Sequence, residues 1–321
     1  MMGFIIRRLL QLPLVLFVVV ALTFSLVWLI PGNPMLQEGR QPPQEIVDAM
    51  NRQYQLDSPV TFFGGYVARV TGIGWVMGWN DAPFDLGPSM RNPDWTVNEI
   101  IGAGFPISAT IGLGAIAIAL IIGTIAGLVG GLKPGSWLDA GTQLIALIGI
   151  SVPSFVTGSF LIVLFAAKFR IFPIAGWGTP AHAFLPMLTL SLPFAAYIAR
   201  LLRFGLVEQM TTDHLRTARA KGLSRRQAAW RHALKNAFLP VLSFLGPATA
   251  VAMTGSFVVE KVFAVPGLGR HFVDAVLGKD ITLVMGVVLV YAVLLIVLNL
   301  VVDVLYAWID PRIDLANTGS R

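Results

Sequence analysis

Few residues in this 321-residue chain are of types that do chemistry, and their spacing restricts what that chemistry is. Cysteine is absent, which removes disulfides, thiolate metal sites and thiol nucleophiles. The histidines, His182, His214, His232 and His271, lie far apart, without the close His/acid spacing of familiar zinc motifs. Ser151 and Ser154 flank Pro153 and are the sharpest nucleophile candidates. An intramembrane hydrolase would need a histidine or acid at the same depth, and all four histidines fall outside the apolar runs. Asp303 lies inside an apolar run and is a candidate proton-coupling acid, although a helix-end ion pair is an equal reading. No Gly-x4-Gly-Lys-[Ser/Thr] phosphate loop occurs anywhere.

The chemistry that remains is charge. Between Arg200 and Pro240 stand nine Lys/Arg against two acids, Glu208 and Asp213. Gly222 suits the left-handed end of a first short helix over about Thr212 to Lys221, because it has no Cβ to clash. Leu223 follows as an apolar cap contact, and Ser224 stands three residues before Gln227, the spacing of a capping box. The second helix is expected to run to Leu239 and break at Pro240. Three readings of this basic hairpin compete: a solvated loop that only fixes topology, a DNA-reading helix-turn-helix, and a docking element that passes motion from a cytoplasmic partner into membrane helices. Tethering at both ends to membrane spans keeps the hairpin from a DNA groove.

The elements that hold it are apolar. The chain is 55% hydrophobic and 12% charged, with a mean hydropathy of +0.74. Runs of about twenty apolar residues mean transmembrane helices. Six spans are expected: 9–30, 105–132, 138–167, 184–206, 240–259 and 283–309. The third is too long for one straight helix, and Pro153 is expected to kink or break it. Gly123, Gly127 and Gly131 share a face of the second span, which lets another backbone approach. Thr254, Gly255 and Ser256 make the fifth unusually small and polar. A signal-peptide reading of the first run fails on its length and on Pro31-Gly32-Asn33-Pro34, which is not a cleavage site.

Residues 32–104 form the longest polar interval, with an amphipathic helix expected over Gln44–Tyr54 and a second apolar-faced segment over Val60–Val70. Trp75, Trp79 and Trp95 suggest a compact extracytoplasmic loop partly lying on the membrane interface. Residues 265–270 are expected as an outside loop or shallow re-entrant turn. The net charge of +6 supports this topology by its distribution. Lys/Arg are roughly threefold denser in segments 1–8, 133–136, 200–239 and 309–321 than in 32–104, 168–184 and 260–282, which places both termini inside. Lys168 and Arg170 are the exceptions.

The hairpin also resembles a known motif. Thr217-Ala218-Arg219-Ala220-Lys221-Gly222-Leu223-Ser224, continuing to Arg231-His232-Ala233-Leu234-Lys235-Asn236-Ala237, is similar to the cytoplasmic signature of ATP-binding-cassette importer permeases, and within them to the peptide/nickel subfamily. Anchored on Gly222, the general signature's Glu-Ala-Ala slots hold Arg216, Thr217 and Ala218, and its Ile-x-Leu-Pro slots hold His232 to Lys235. These departures resemble the subfamily's own variant. Pro31-Gly32-Asn33-Pro34, Asp85-Leu86-Gly87-Pro88-Ser89, Pro153-Ser154-Phe155, Leu185-Pro186, Val259-Glu260-Lys261-Val262-Phe263, Pro266-Gly267-Leu268-Gly269-Arg270 and Asp310-Pro311-Arg312 extend the resemblance along nearly the whole chain.

The resemblance implies an all-α integral membrane protein with the type I importer permease fold, six spans and both termini cytoplasmic. It implies residence in the inner (cytoplasmic) membrane and the role of one pathway half in an ATP-driven importer of peptides or similar small solutes. Its organisation would be a first span over 1–31, an extracytoplasmic region over 32–104, and a core over 105–321 that carries the hairpin at about 207–239. Partners would be a second homologous permease, two ATP-binding subunits that use the ATP, and an extracytoplasmic binding protein; this chain itself would hold no cofactor or metal and catalyse nothing. His214, Leu215, Arg216, Thr217, Ala218, Arg219, Ala220, Lys221, Gly222 and Leu223 would sit in a groove of the ATPase subunit. Ser151, Ser154, Thr254 and Ser256 are the candidate pathway-lining positions. The alternatives are a proton-coupled secondary transporter using Asp303 and, after it, the intramembrane hydrolase.

Overall fold

In a computed structural model of the protein, the described residues are 2–30, 58–92 and 94–309, with Glu45, Asp48, Asn51, Tyr54 and Leu56 between them. Of the helix expected over 44–54, only Glu45, Asp48, Asn51 and Tyr54 are described, all four helical; Pro31-Gly32-Asn33-Pro34 and Asp310-Pro311-Arg312 lie outside the described residues.

Among the described residues, four helices are long and apolar enough to cross a membrane: α1 (Met2–Leu29), α4 (Val97–Leu132), α7 (Pro180–Gln209) and α13 (Ile281–Ile309). Counting each of two bent pairs as one span brings the number, by length and composition, to as many as six. In the first, α5 (Trp137–Ser151) meets α6 (Ser154–Leu161, continued by a π-helical turn over Ile162–Lys168) at 103°. Pro153 causes this break. It has no N–H to give α5, and it forces Val152 into an extended conformation, at φ −78° and ψ 124°. In the second pair, α9 (Arg225–Ala237) meets α10 (Leu239–Met253) at 46°, with Pro240 in the first turn of α10. The hairpin's second helix therefore ends at Ala237, two residues before the expected Leu239.

The fifth span also stops early. It was expected to reach Val259, but α10 ends at Met253, and Ser256 caps a separate helix, α11 (Phe257–Val262), by accepting from the Val259 N–H. The small polar residues there break the helix because their side chains compete for backbone partners. Of residues 265–270, expected as an outside loop or shallow re-entrant turn, 268–270 form the first turn of α12 (Leu268–Leu277).

The described chain divides into two compact units. One comprises residues 107–266 with 295 onward, and its core joins α4 to α7 and α10. Here the glycine face works as the spacing predicts. A Cβ on Gly123 would lie 2.7 Å from the Ala195 carbonyl oxygen, and one on Gly127 would lie 2.8 Å from that of Ala199, so only glycine lets α4 and α7 approach this closely.

The other unit comprises residues 6–106 and 267–294. Its core gathers Phe24 and Val27 of α1, Phe62 and Tyr66 of α2 (Pro59–Val70), and Met285 of α13. Residues 72–77 add the one-turn α3 (Ile73–Val76). The polar interval and the segment before α13 are stitched together by Asp280. Fully buried, it accepts from the Ser89 hydroxyl and the Arg91 N–H, while Thr282 Oγ1 donates to the Pro88 carbonyl at 2.7 Å.

Candidate functional site

The hairpin begins where α7 ends at Gln209. Thr212 precedes α8 (Asp213–Ala220), which closes with the bond pattern of a Schellman motif. The Gly222 N–H donates to the Arg219 carbonyl and the Leu223 N–H to that of Ala218, at 3.0 and 3.3 Å. Gly222 has φ +94°, the conformation its missing Cβ permits. Two residues on, Ser224 accepts from the Gln227 N–H and the Gln227 side chain accepts from the Ser224 N–H, the reciprocal capping box that opens α9.

These local devices set the angle between α8 and α9, and a small apolar core holds it. Leu215 is fully buried among Met210, Ala228, Ala229 and Ala233, with Leu223 and Leu132 packed against them. The remainder of α8 faces outward: His214, Arg216, Thr217, Arg219, Ala220 and Lys221 are exposed, and Ala218 is half-buried. Arg216 and Asp213 approach to 3.7 Å in the open, a contact worth little in solvent. The arrangement is a cationic ridge with an apolar underside.

Above the hairpin, an ion pair joins α7 to α5. Arg203 Nε and Nη2 donate to the two carboxylate oxygens of Asp139 at 2.5 and 2.8 Å. Asp139 is 2% exposed and also accepts from the Gly135 N–H and the Gln143 amide. Sequence reasoning counted Arg203 among the basic residues but missed its partner, 64 positions away. The signal available was an acid three residues after the turn Lys133-Pro134-Gly135-Ser136.

The four proposed lining residues fall at the two helix breaks. Ser151 ends α5 exposed, and Ser154 starts α6 half-buried. The Thr254 hydroxyl donates to the Val251 carbonyl at 2.7 Å, and Ser256 is the cap of α11. α6 and α11 pack side by side, with Gly158 against Val262 and Phe263, so both breaks belong to one packed region. That region includes Glu260, which was expected in an outside segment. It is 1% exposed and accepts from Ser108 at 2.7 Å.

Among the described residues, no histidine or carboxylate hydrogen-bonds to Ser151 or Ser154, and no group of three His, Asp or Glu is placed to hold a metal ion. Asp303 is half-buried near the end of α13.

Known proteins match along the whole chain. Residues 119–315 match the family described as binding-protein-dependent transport system inner membrane component, and residues 1–125 match the corresponding N-terminal family. The chain is 38% identical over 319 residues to the dipeptide transport system permease protein DppB of Bacillus subtilis (strain 168), covering 99% of this chain and 100% of that protein. It is 39% identical over 316 residues to the oligopeptide transport system permease protein OppB of Salmonella typhimurium, covering 98% and 99%. Among solved structures, an inward-facing form of the MetNI methionine ABC transporter matches with a TM-score of 0.53 at 16% identity, over 66% of this chain and 97% of that one. An amino acid ABC transporter crystallised with histidines matches with a TM-score of 0.50 at 16% identity, over 65% and 93%. At that identity the structural likeness speaks to fold alone.

Proposed function

The chain belongs to the family of binding-protein-dependent transport system inner membrane components, and from that premise we propose that its α8–α9 hairpin receives the stroke of an ATPase subunit and passes it to a pathway for peptides. The protein is a permease subunit of an ATP-driven importer, resident in the inner membrane, and not an enzyme; ATP hydrolysis belongs to separate subunits. Family membership implies an ATPase partner, a substrate-binding partner and a second permease.

The finer assignments are these. Two ATP-binding subunits dock below, a homologous permease completes the pathway, and an extracytoplasmic binding protein delivers the solute. Both termini are inside. Dipeptides or oligopeptides are the cargo class, by analogy with what the DppB and OppB relatives are named for. Ser151, Ser154, Thr254 and Ser256, at the two helix breaks, line the route.

One observation carries the hairpin assignment: Leu215 is fully buried while the cations of α8 are exposed around a fixed turn. A topology-setting loop needs positive charge but no core, capping box or Schellman closure. A force-bearing element needs all three, because a displaced helix moves its neighbours only if it cannot fray. The Arg203–Asp139 pair supports the same reading, since it fastens α7, which leads into the hairpin, to α5 on the near side of the Pro153 break.

The test is reconstitution in proteoliposomes. The chain with its ATPase, second permease and binding protein should take up peptide, and uptake should collapse on ATP depletion while a proton gradient is held. Robust flux by this chain alone, or flux that follows the proton gradient, would overturn the importer reading and return attention to Asp303.

A further inference from the structure

Between Ser58 and Asn80 the sequence carries one charged residue, Arg69. This stretch contains α2 and α3, and it exposes large apolar side chains in succession: Val60 at 78%, Trp75 at 51%, Val76 at 79%, Met77 at 58% and Trp79 at 69%. Large apolar side chains exposed at both ends of one nearly uncharged segment mark a partner or a membrane.

Its position beside α1 identifies which. The Phe63 ring packs against both Phe17 and Phe24, with centroids 5.9 and 5.1 Å away. Phe62 stacks on Phe24 at 5.7 Å and reaches Trp28 at 5.8 Å. Phe17 and Phe24 belong to the apolar span Leu10–Leu29. Twelve residues of helix from Phe17 to Leu29 rise about 18 Å, so Phe63 meets α1 well below its end, within the hydrocarbon depth of about 30 Å.

We propose that residues 59–79 are a lipid-immersed re-entrant segment, with α2 lying in the bilayer against α1 and Trp75 and Trp79 set at the headgroup level. The polar groups at the two ends of α2 fit this environment, whereas the Tyr66 hydroxyl, on the protein side, is buried with no hydrogen-bond partner among the described residues. The Ser58 side chain accepts from the Thr61 N–H, and the Thr61 and Thr71 hydroxyls donate to the Ser58 and Val67 carbonyls, so these groups are satisfied locally as hydrocarbon requires. Arg69 lies against Gly87, its guanidinium 3.2 Å from where a Cβ there would stand, on the protein side rather than toward lipid. Tryptophan, with an apolar body and a polar N–H, suits the interface. The leaflet, the outer one, rests on the topology proposed above; the depth does not.

The absence of cysteine makes this directly testable. Single cysteines replacing Val60 and Val76 carry spin labels in the full chain, reconstituted in nanodiscs of phosphatidylethanolamine and phosphatidylglycerol. Val18, exposed on α1, and Asp81, exposed beyond the segment, serve as membrane and aqueous references. The oxygen-to-nickel-chelate collision ratio at Val60 is expected to match that of Val18 and to exceed that of Asp81 several-fold, and that at Val76, between the headgroup-level tryptophans, is expected to lie between those of Val18 and Asp81. Ratios at both sites equal to that of Asp81 would overturn the proposal and leave the patch to a protein partner. Neither result depends on whether the chain transports peptides.

Discussion

Arg203 holds both carboxylate oxygens of Asp139, and in doing so it ties the start of α5 to α7 across 64 residues of sequence. The pair sits six residues before the end of α7, so whatever displaces the hairpin must either carry α5 along or break it. A pair with one buried and one half-buried partner is a poor source of net stability compared with apolar packing, but losing one partner leaves the other charge unpaired. Its value here is in fixing two helices as one body.

Asp139→Ala should therefore destabilise the protein by about 1–3 kcal/mol, since the half-buried Arg203 guanidinium loses its charge-assisted hydrogen bonds. Thermal denaturation in detergent should show a clear fall in Tm, with Asp139→Asn intermediate because it keeps the shape and one acceptor. An unchanged Tm in Asp139→Ala would mean that the pair is not the fastening described.

Gly222 offers the sharpest test of the hairpin. No atom lies within 4 Å of a built Cβ, so a substitution there is penalised by backbone conformation alone. Gly222→Ala should cost about 1 kcal/mol, and Gly222→Val more, because a branched side chain fits positive φ badly. Membrane insertion should stay normal, while ATPase co-purification falls or hydrolysis becomes uncoupled, with peptide uptake lost either way. The double change Arg225→Ala with Arg226→Ala should be milder. Wild-type uptake and assembly in Gly222→Val would reduce the hairpin to a connector.

The contact between α4 and α7 predicts a graded series. At Gly123 a side chain would collide with the Ala195 carbonyl and with Ile198, and Gly123→Val should destabilise by about 1–3 kcal/mol through overpacking. Gly102, on the same helix but with open space around it, should accept alanine with no loss of Tm. Equal effects at the two sites would show that helix propensity, not close approach, governs the contact.

Topology is read by thiol labelling in whole cells. Cysteines replacing the exposed Asp81 and Leu277 should react with an impermeant reagent added outside. Those replacing Lys133 and Thr211 should be protected until the membrane is opened. Gly278 is avoided because a side chain there would strike Arg91. Labelling of Thr211→Cys from outside would remove the hairpin from the cytoplasm.

The sequence by itself determined what depends on residues close together along the chain. Six apolar runs, the break at Pro153, the close of α8 at Gly222 and the box between Ser224 and Gln227 are all set by hydrophobicity or by relations of three or four positions. Such relations survive whatever the rest of the chain does, which is why the hairpin was legible almost residue by residue. The tertiary structure decided what depends on partners distant in sequence. Nothing near Arg203 announces Asp139, and nothing near Asp280 announces Ser89. Glu260 read as a loop acid because charge ordinarily seeks water; a bond from Ser108, 152 positions earlier, is among the interactions that hold it inside. The end of the fifth span was misplaced for a related reason. Thr254, Gly255 and Ser256 can pack within a membrane helix or end one, and the choice fell to the backbone partners of the two hydroxyls and to the positive φ of Gly255. Composition also marked the tryptophans of residues 75–79 as interfacial, but only the rings of Phe17 and Phe24 against Phe63 set how deep the segment before them lies.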